Sequence, residues 1–277
     1  MAVLTAVVGE SGPIAVFGSA VRHRHLIWRL ATREFEAQFR GSVLGRLWAA
    51  LGPLLLLGMY TYVFGVVMRA HWPGAEGSTL RVALLYFVGL MYFNFFLECI
   101  NRAPSLMLEN VAYIKKVVFP LDILAWTSLV SAALRLAISM AMLFVFFLII
   151  EGVPPLSALG LPLITAPLVL VVLGFVWFLS ALGVYLRDIR SAMTVIAPAT
   201  MFMSPVFFPI SIVPEPVRAI LYGNPLTFVI ESARGMLFEG HWPDPLGLGI
   251  YSVIACVFAW LGRSWFMSVR SGFADVV

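Results

Sequence analysis

The chain has 277 residues, of which 61% are hydrophobic and only 12% charged, with a mean hydropathy of +0.98; a water-soluble domain of this length does not carry such a composition, so the chain reads as an integral membrane protein. Eighteen Lys and Arg against 14 Asp and Glu give a formal net charge of +4, but the cations sit in short clusters between apolar runs. That excludes a basic nucleic-acid-binding face and makes the basicity a matter of topology.

Residues 1–21 contain no Lys or Arg, and their apolar patch Ile14–Val21 is interrupted by Gly18 and Ser19. This is not the pattern of a signal peptide, and residues 1–25 are expected to form a poorly ordered cytosolic leader. From Trp28 the chain is studded with charge at Arg29, Arg33, Glu34, Glu36, Arg40 and Arg46, then runs into Leu47–Met68, which carries none. Twenty-two residues at a helical rise of 1.5 Å reach about 33 Å, enough for a hydrocarbon core of roughly 30 Å. A first span is therefore predicted there, with the Arg-rich segment on the cytosolic side.

Further apolar runs follow at Val82–Leu97, Ile123–Ile150, Leu161–Leu186, Ser191–Val213 and Leu246–Gly262. Six spans is the simplest count. Threaded from a cytosolic N-terminus, they place loops 98–120, 187–190 and 263–277 inside and 69–81, 151–160 and 214–245 outside. Thirteen of the 18 cations then fall inside, four outside (Arg69, Arg81, Arg218, Arg234), and Arg135 within a span. That bias agrees with the excess of Lys and Arg expected in cytosolic loops.

Two loops are unusual. Residues 102–120, preceded by Asn101, are polar at Ser105, Glu109, Asn110, Lys115 and Lys116 and stop at Pro120. They predict one short amphipathic helix, either a surface on which a partner presses or a snorkelling anchor. Pro216–Gly223 and Pro225–Gly240 are too short to cross and are separated by Asn224-Pro225. They predict two helices, forming either a hairpin dipping into the outer leaflet or one lying on its surface.

Arg135 lies roughly 18 Å along a helix starting at Ile123, a depth at which an arginine costs about 2.5–3.5 kcal/mol. Either it faces a hydrated pathway or it pairs with a carboxylate such as Glu98. Aromatic residues, among them Tyr60, Tyr62 and Phe64, crowd the first two predicted spans; a subset on one face could stack on sugar rings.

Catalytic signatures are missing. The lysines Lys115 and Lys116 follow Tyr113 and Ile114 rather than a glycine-rich loop, so a P-loop is excluded. The sequence holds no HExxH, no GxSxG and no aspartate pair suited to acid and base work, and its four histidines are His23, His25, His71 and His241. His71-Trp72-Pro73 and His241-Trp242-Pro243 read as interfacial indoles beside turn-forming prolines. Cys99 and Cys256 have neither metal-ligand nor disulfide spacing and read as small apolar residues.

The residues Arg40-Gly41-Ser42-Val43-Leu44-Gly45-Arg46-Leu47-Trp48, Tyr113-Ile114-Lys115-Lys116-Val117-Val118-Phe119-Pro120, Arg187-Asp188-Ile189 and Asn224-Pro225 resemble the permease subunits of ABC-2-type polysaccharide exporters. The resemblance covers the chain from about Leu26 to Val277. It implies an all-α membrane protein in which residues 26–46 form an amphipathic interfacial helix, 47–264 a six-span domain and 265–277 a cytosolic tail. Within that domain it implies a coupling segment at 102–120 and an outer gate hairpin at 214–240.

The same resemblance implies a homodimer in the bacterial inner membrane, paired with two copies of a separate ATP-binding-cassette ATPase. ATP and Mg belong to that partner, and this chain carries no cofactor. Lipid-linked O-antigen, capsule or teichoic acid precursor would be the cargo. Glu109, Asn110, Lys115 and Lys116 would meet the ATPase, and Arg33, Arg40, Arg46 and Trp48 would form the substrate entrance. Tyr60, Tyr62, Phe64 and Arg135 are candidates for the pathway, with Asn224, Pro225, Glu231 and Arg234 at the outer gate. Competing readings are a permease for drugs or smaller lipids, a secondary transporter that needs no ATPase, and a membrane-embedded transferase, against which the scarce carboxylates and histidines argue.

Overall fold

The computed structural model describes residues 15–67, 72, 78–115 and 119–276, and among them regular structure is helical throughout. Two amphipathic helices come first, α1 (Ala15–Arg22) and α2 (Arg24–Ala37). The chain then turns at Gly41 and Gly45, whose φ values of 81° and 49° lie in the left-handed region that favours glycine. It enters α3 (Trp48–Tyr60), which continues as a π-helix over Thr61–Val67.

Among the described residues, four helices are long and apolar enough to cross a membrane. They are α4 (Thr79–Arg102), α6 (Ile123–Ile150), α7 (Leu161–Tyr185) and α11 (Pro245–Val269). Their 24 to 28 residues reach about 36–42 Å at the α-helical rise. Helix starts carry recognisable caps: the Ser78 hydroxyl accepts from Arg81 N at 3.3 Å, and Asp244 accepts from Gly247 N at 2.7 Å beside Pro245.

The core helix is α4, buried almost continuously from Val82 to Phe93 and packed on α6, α7, α3 and the π-helix. The most extensive pairing is between α7 and α11. It is possible because Gly174 and Gly262 meet at their crossing: a Cβ on Gly262 would come 2.9 Å from Gly174 Cα.

Three segments differ from the sequence-based expectation. Residues 15–22, assigned to the leader, form α1, with Val16 buried and Phe17 6.3 Å from the Trp126 ring. The single amphipathic helix expected over 102–120 is instead a chain of short pieces: 3-10 turns at Ala103–Ser105 and Leu108–Asn110 and a one-turn α5 (Val111–Ile114). Pro104 lacks a backbone donor, and the Asn110 side chain donates to Leu106 O at 2.8 Å, competing with helix propagation.

The run Ser191–Val213 is likewise not one helix. It comprises α8 (Asp188–Ala199), irregular turns, and a 3-10 turn at Ile210–Ile212. Pro198, Pro205 and Pro209 interrupt the ladder. Asn224-Pro225 does separate two helices as expected, α9 (Glu215–Tyr222) and α10 (Pro225–Arg234), the latter capped by Asn224 Oδ1 accepting from Leu226 N at 2.9 Å. A π-turn over Gly235–Glu239 closes the hairpin. A short α12 (Phe273–Val276) ends the described chain.

Candidate functional site

At its C-terminal end α4 presents Arg102, where unpaired carbonyls favour a cation. Its guanidinium holds two carboxylates from opposite sides. Nη1 donates to Glu34 Oε1 on α2, and Nη2 lies 3.6 Å from Glu109 Oε2 in the second 3-10 turn. Burial raises the pKa of the Glu34 carboxyl, opposed by the nearby Arg102 and Arg135 charges.

Beside this bridge is a cavity of about 420 Å³ whose walls come from α2 and the turn after it, from the 102–115 segment, and from Leu124 and Thr127 of α6. Arg33 and Arg40 stand on one wall, Glu109, Asn110 and Tyr113 on the other. Arg33 Nη2 donates to the Tyr113 hydroxyl at 3.4 Å, and Tyr113 stacks on Phe119 with centroids 4.4 Å apart. The cavity thus brings Arg33 and Arg40, named for the entrance, together with Glu109 and Asn110, named for coupling. Lys115 is exposed at the end of α5. Trp48 is exposed at the start of α3. Lys116, and the side chains of Arg46 and Phe64, lie outside the described residues.

Arg135 makes four hydrogen bonds to three side chains. Nε donates to Glu98 Oε2 at 2.6 Å, Nη2 donates to Glu98 Oε1, Nη1 donates to Gln38 at 2.9 Å and Nη2 to Ser131 at 3.4 Å. Of the two readings open for Arg135, the pair with Glu98 is present. Gln38 directly follows α2, so Arg102 and Arg135 together fasten its C-terminal half to α4 and α6.

The predicted gate residues converge elsewhere, near the Thr79 end of α4. Arg234 is buried, and its donors are almost wholly spent on backbone. Nε and Nη2 reach Leu85 O at 3.1 and 3.0 Å, Nη1 reaches Pro205 O at 2.5 Å, and Nη2 reaches Val206 O at 2.7 Å. Nη1 also meets Glu231 at 3.1 Å, and Trp72 covers the guanidinium at 4.6 Å. Burial lowers the Arg234 pKa to about 10, which leaves it charged at neutral pH, and raises that of Glu231. Asn224 Nδ2 donates to Met203 O at 2.9 Å and to Ser204 Oγ at 2.8 Å. Side chains of the hairpin thereby satisfy carbonyls that the interrupted run 200–209 leaves without helical partners, the condition for irregular backbone inside an apolar protein.

Tyr60 faces inward, 4.8 Å from the Phe207 ring, which in turn meets Tyr86 at 5.6 Å. Tyr86 touches Trp72, so Tyr60 is linked through aromatic rings to Arg234. Tyr62 points outward and is exposed.

Sequence reasoning did not single out the Arg102–Glu34 bridge, or a buried pair between Asp122 and Arg263, 3.3 Å apart with side chains 5% and 8% exposed. Trp177 Nε1 adds a bond to the Asp122 carbonyl at 3.1 Å. The partners lie 68 and 141 residues apart, so no local pattern announces them; the signal was the position of Arg102 and Arg263 at the edges of apolar runs.

Membrane-length helices around a buried core, with most charged groups at the helix ends and in the hairpin and the mid-helix Arg135 paired with Glu98, define a polytopic helical membrane protein. A family model described as "ABC-2 type transporter" matches residues 25–238, and the chain belongs to that family. It is 26% identical over 258 residues to the O-antigen export system permease protein RfbA of Myxococcus xanthus, covering 92% of this chain and 96% of that protein. Two O-antigen export system permease proteins RfbA of Klebsiella pneumoniae are 23% and 22% identical over 249 residues, each covering 90% of this chain and 93% of theirs.

Proposed function

We propose that this chain is the membrane-spanning permease subunit of an ATP-driven exporter that carries lipid-linked polysaccharide, of the O-antigen class, from the cytosolic to the outer side of the bacterial inner membrane. The observation that carries the reading is the shared cavity. Arginines suited to an anionic lipid headgroup and the segment suited to a cytosolic ATPase line the same space. End-to-end similarity to permeases named for O-antigen export supports the cargo.

On this reading the four long helices are joined by two further crossings, Trp48–Val67 and the interrupted run from Asp188 to Val213, giving six with both termini in the cytosol. Exposed apolar residues such as Leu55, Met59 and Tyr62 on the first, and Val195 and Phe202 on the second, form faces that a second copy of the chain covers. Two copies of a P-loop ATPase press on residues 102–120. Arg33, Arg40, Arg46 and Trp48 receive the headgroup, and the hairpin 214–240 closes the outer end.

Deleting the gene in its own host tests the reading. Surface polysaccharide should disappear while lipid-linked polymer accumulates on the cytosolic side, and complementation should require both this chain and an ATPase with an intact P-loop. Unchanged surface polymer, or rescue with the ATPase inactivated, would remove it.

A further inference from the structure

We infer that Arg102 is the positioning residue that makes α2 follow the 106–115 segment, so that a push delivered to the segment shifts the arginines that line the cavity. The inference rests on the permease reading and adds to it a specific link. Both ends of the segment are held. Its first turn is pressed on α7, where a Cβ on Gly183 would come 2.7 Å from Pro104 Cα, and beyond it Asp122 is tied to Arg263. Movement is therefore left to the part between, which carries Glu109.

The fork geometry of a guanidinium suits this role, because it can hold two carboxylates at once, which an ammonium point charge on a flexible stem does less well. The two halves of the bridge are unequal. The Glu34 side chain is 15% exposed and directly bonded, whereas Glu109 is 48% exposed and 3.6 Å away. Arg102 is thus closely joined to α2 and more loosely to the segment. The bond from Arg33 to Tyr113 runs in parallel and joins the same two elements.

The test uses the full complex with its ATPase, reconstituted in lipid, and reads hydrogen exchange in nucleotide-free and ATP-trapped states together with polymer export. In the wild type, both 106–115 and the second half of α2 should change protection between states. In Arg102→Gln the segment should still respond, while the α2 response falls at least threefold and export at least tenfold. The charge swap Arg102→Glu with Glu34→Arg and Glu109→Arg, which rebuilds both halves of the bridge with reversed sign, should restore both to within threefold of wild type. An α2 response in Arg102→Gln equal to wild type, or a swap no better than the single variant, overturns the inference and leaves the permease reading standing. A wild-type complex in which ATP moves neither polymer nor the segment overturns the permease reading itself, and the inference with it.

Discussion

Gly183 on α7 lies directly against Pro104 at the foot of α4; a Cβ on the glycine would come 2.7 Å from Pro104 Cα and 2.8 Å from its carbonyl carbon. The obstacle is backbone rather than a movable side chain, so the contact fixes where the 103–115 segment begins.

Gly183→Val is accordingly expected to destabilise the protein by about 1–3 kcal/mol or more through overpacking. Gly58→Ala in α3, where a Cβ meets nothing within 4 Å, should have the opposite sign, stabilising by about 0.5–1 kcal/mol through lower unfolded-chain entropy. Thermal unfolding in detergent, followed by tryptophan fluorescence, compares the two.

For Arg135 and Glu98, removing one partner strands the other in a half-buried apolar setting, with side chains 16% and 30% exposed. Arg135→Leu alone should lower the unfolding temperature more than Arg135→Leu with Glu98→Leu, since replacing both charges by apolar groups avoids the stranded one. A pathway role adds a separate expectation. The double variant should then be stable yet export poorly, and normal export by it would assign Arg135 to structure alone.

The long helices were legible because length and hydropathy suffice for them: Ile123–Ile150 was read from the sequence with the bounds α6 has, and Leu161–Leu186 missed α7 by one residue. The interrupted run was not, although Pro198, Pro205 and Pro209 were in view, because an apolar average does not register a missing backbone donor. Tertiary satisfaction of the freed carbonyls by Asn224 and Arg234 makes the interruption tolerable, and that involves residues up to 29 positions away. At the site, Arg33, Arg40, Glu109 and Asn110 were named from the sequence as polar residues beside apolar runs. Their meeting around one cavity depends on α2 packing along α6, which no periodicity in either helix encodes.

Arg234→Lys tests the clamp on that run. A lysine brings three donors on a flexible stem in place of a planar fork, so some of the carbonyls of Leu85, Pro205 and Val206 should lose their partner, at about 1–3 kcal/mol for each left buried and unpaired. Faster hydrogen exchange confined to 200–209 and the hairpin is the expected signature; uniform protection would contradict it.

Asp122 and Arg263 form the most enclosed ion pair among the described residues. Arg263→Met should cost about 3–5 kcal/mol, as breaking a buried pair does, whereas Asp122→Leu with Arg263→Met should recover most of that loss. Urea titration of the detergent-solubilised protein gives the three values on one scale.

The most direct test of the central claim is translocation of radiolabelled lipid-linked polysaccharide in proteoliposomes holding this chain and its partner ATPase. Transfer across the bilayer is predicted only with both proteins and hydrolysable ATP present, and it should fall at least tenfold when Lys115 is replaced by Glu. Equal transfer by this chain alone, without the ATPase or without ATP, would contradict the account.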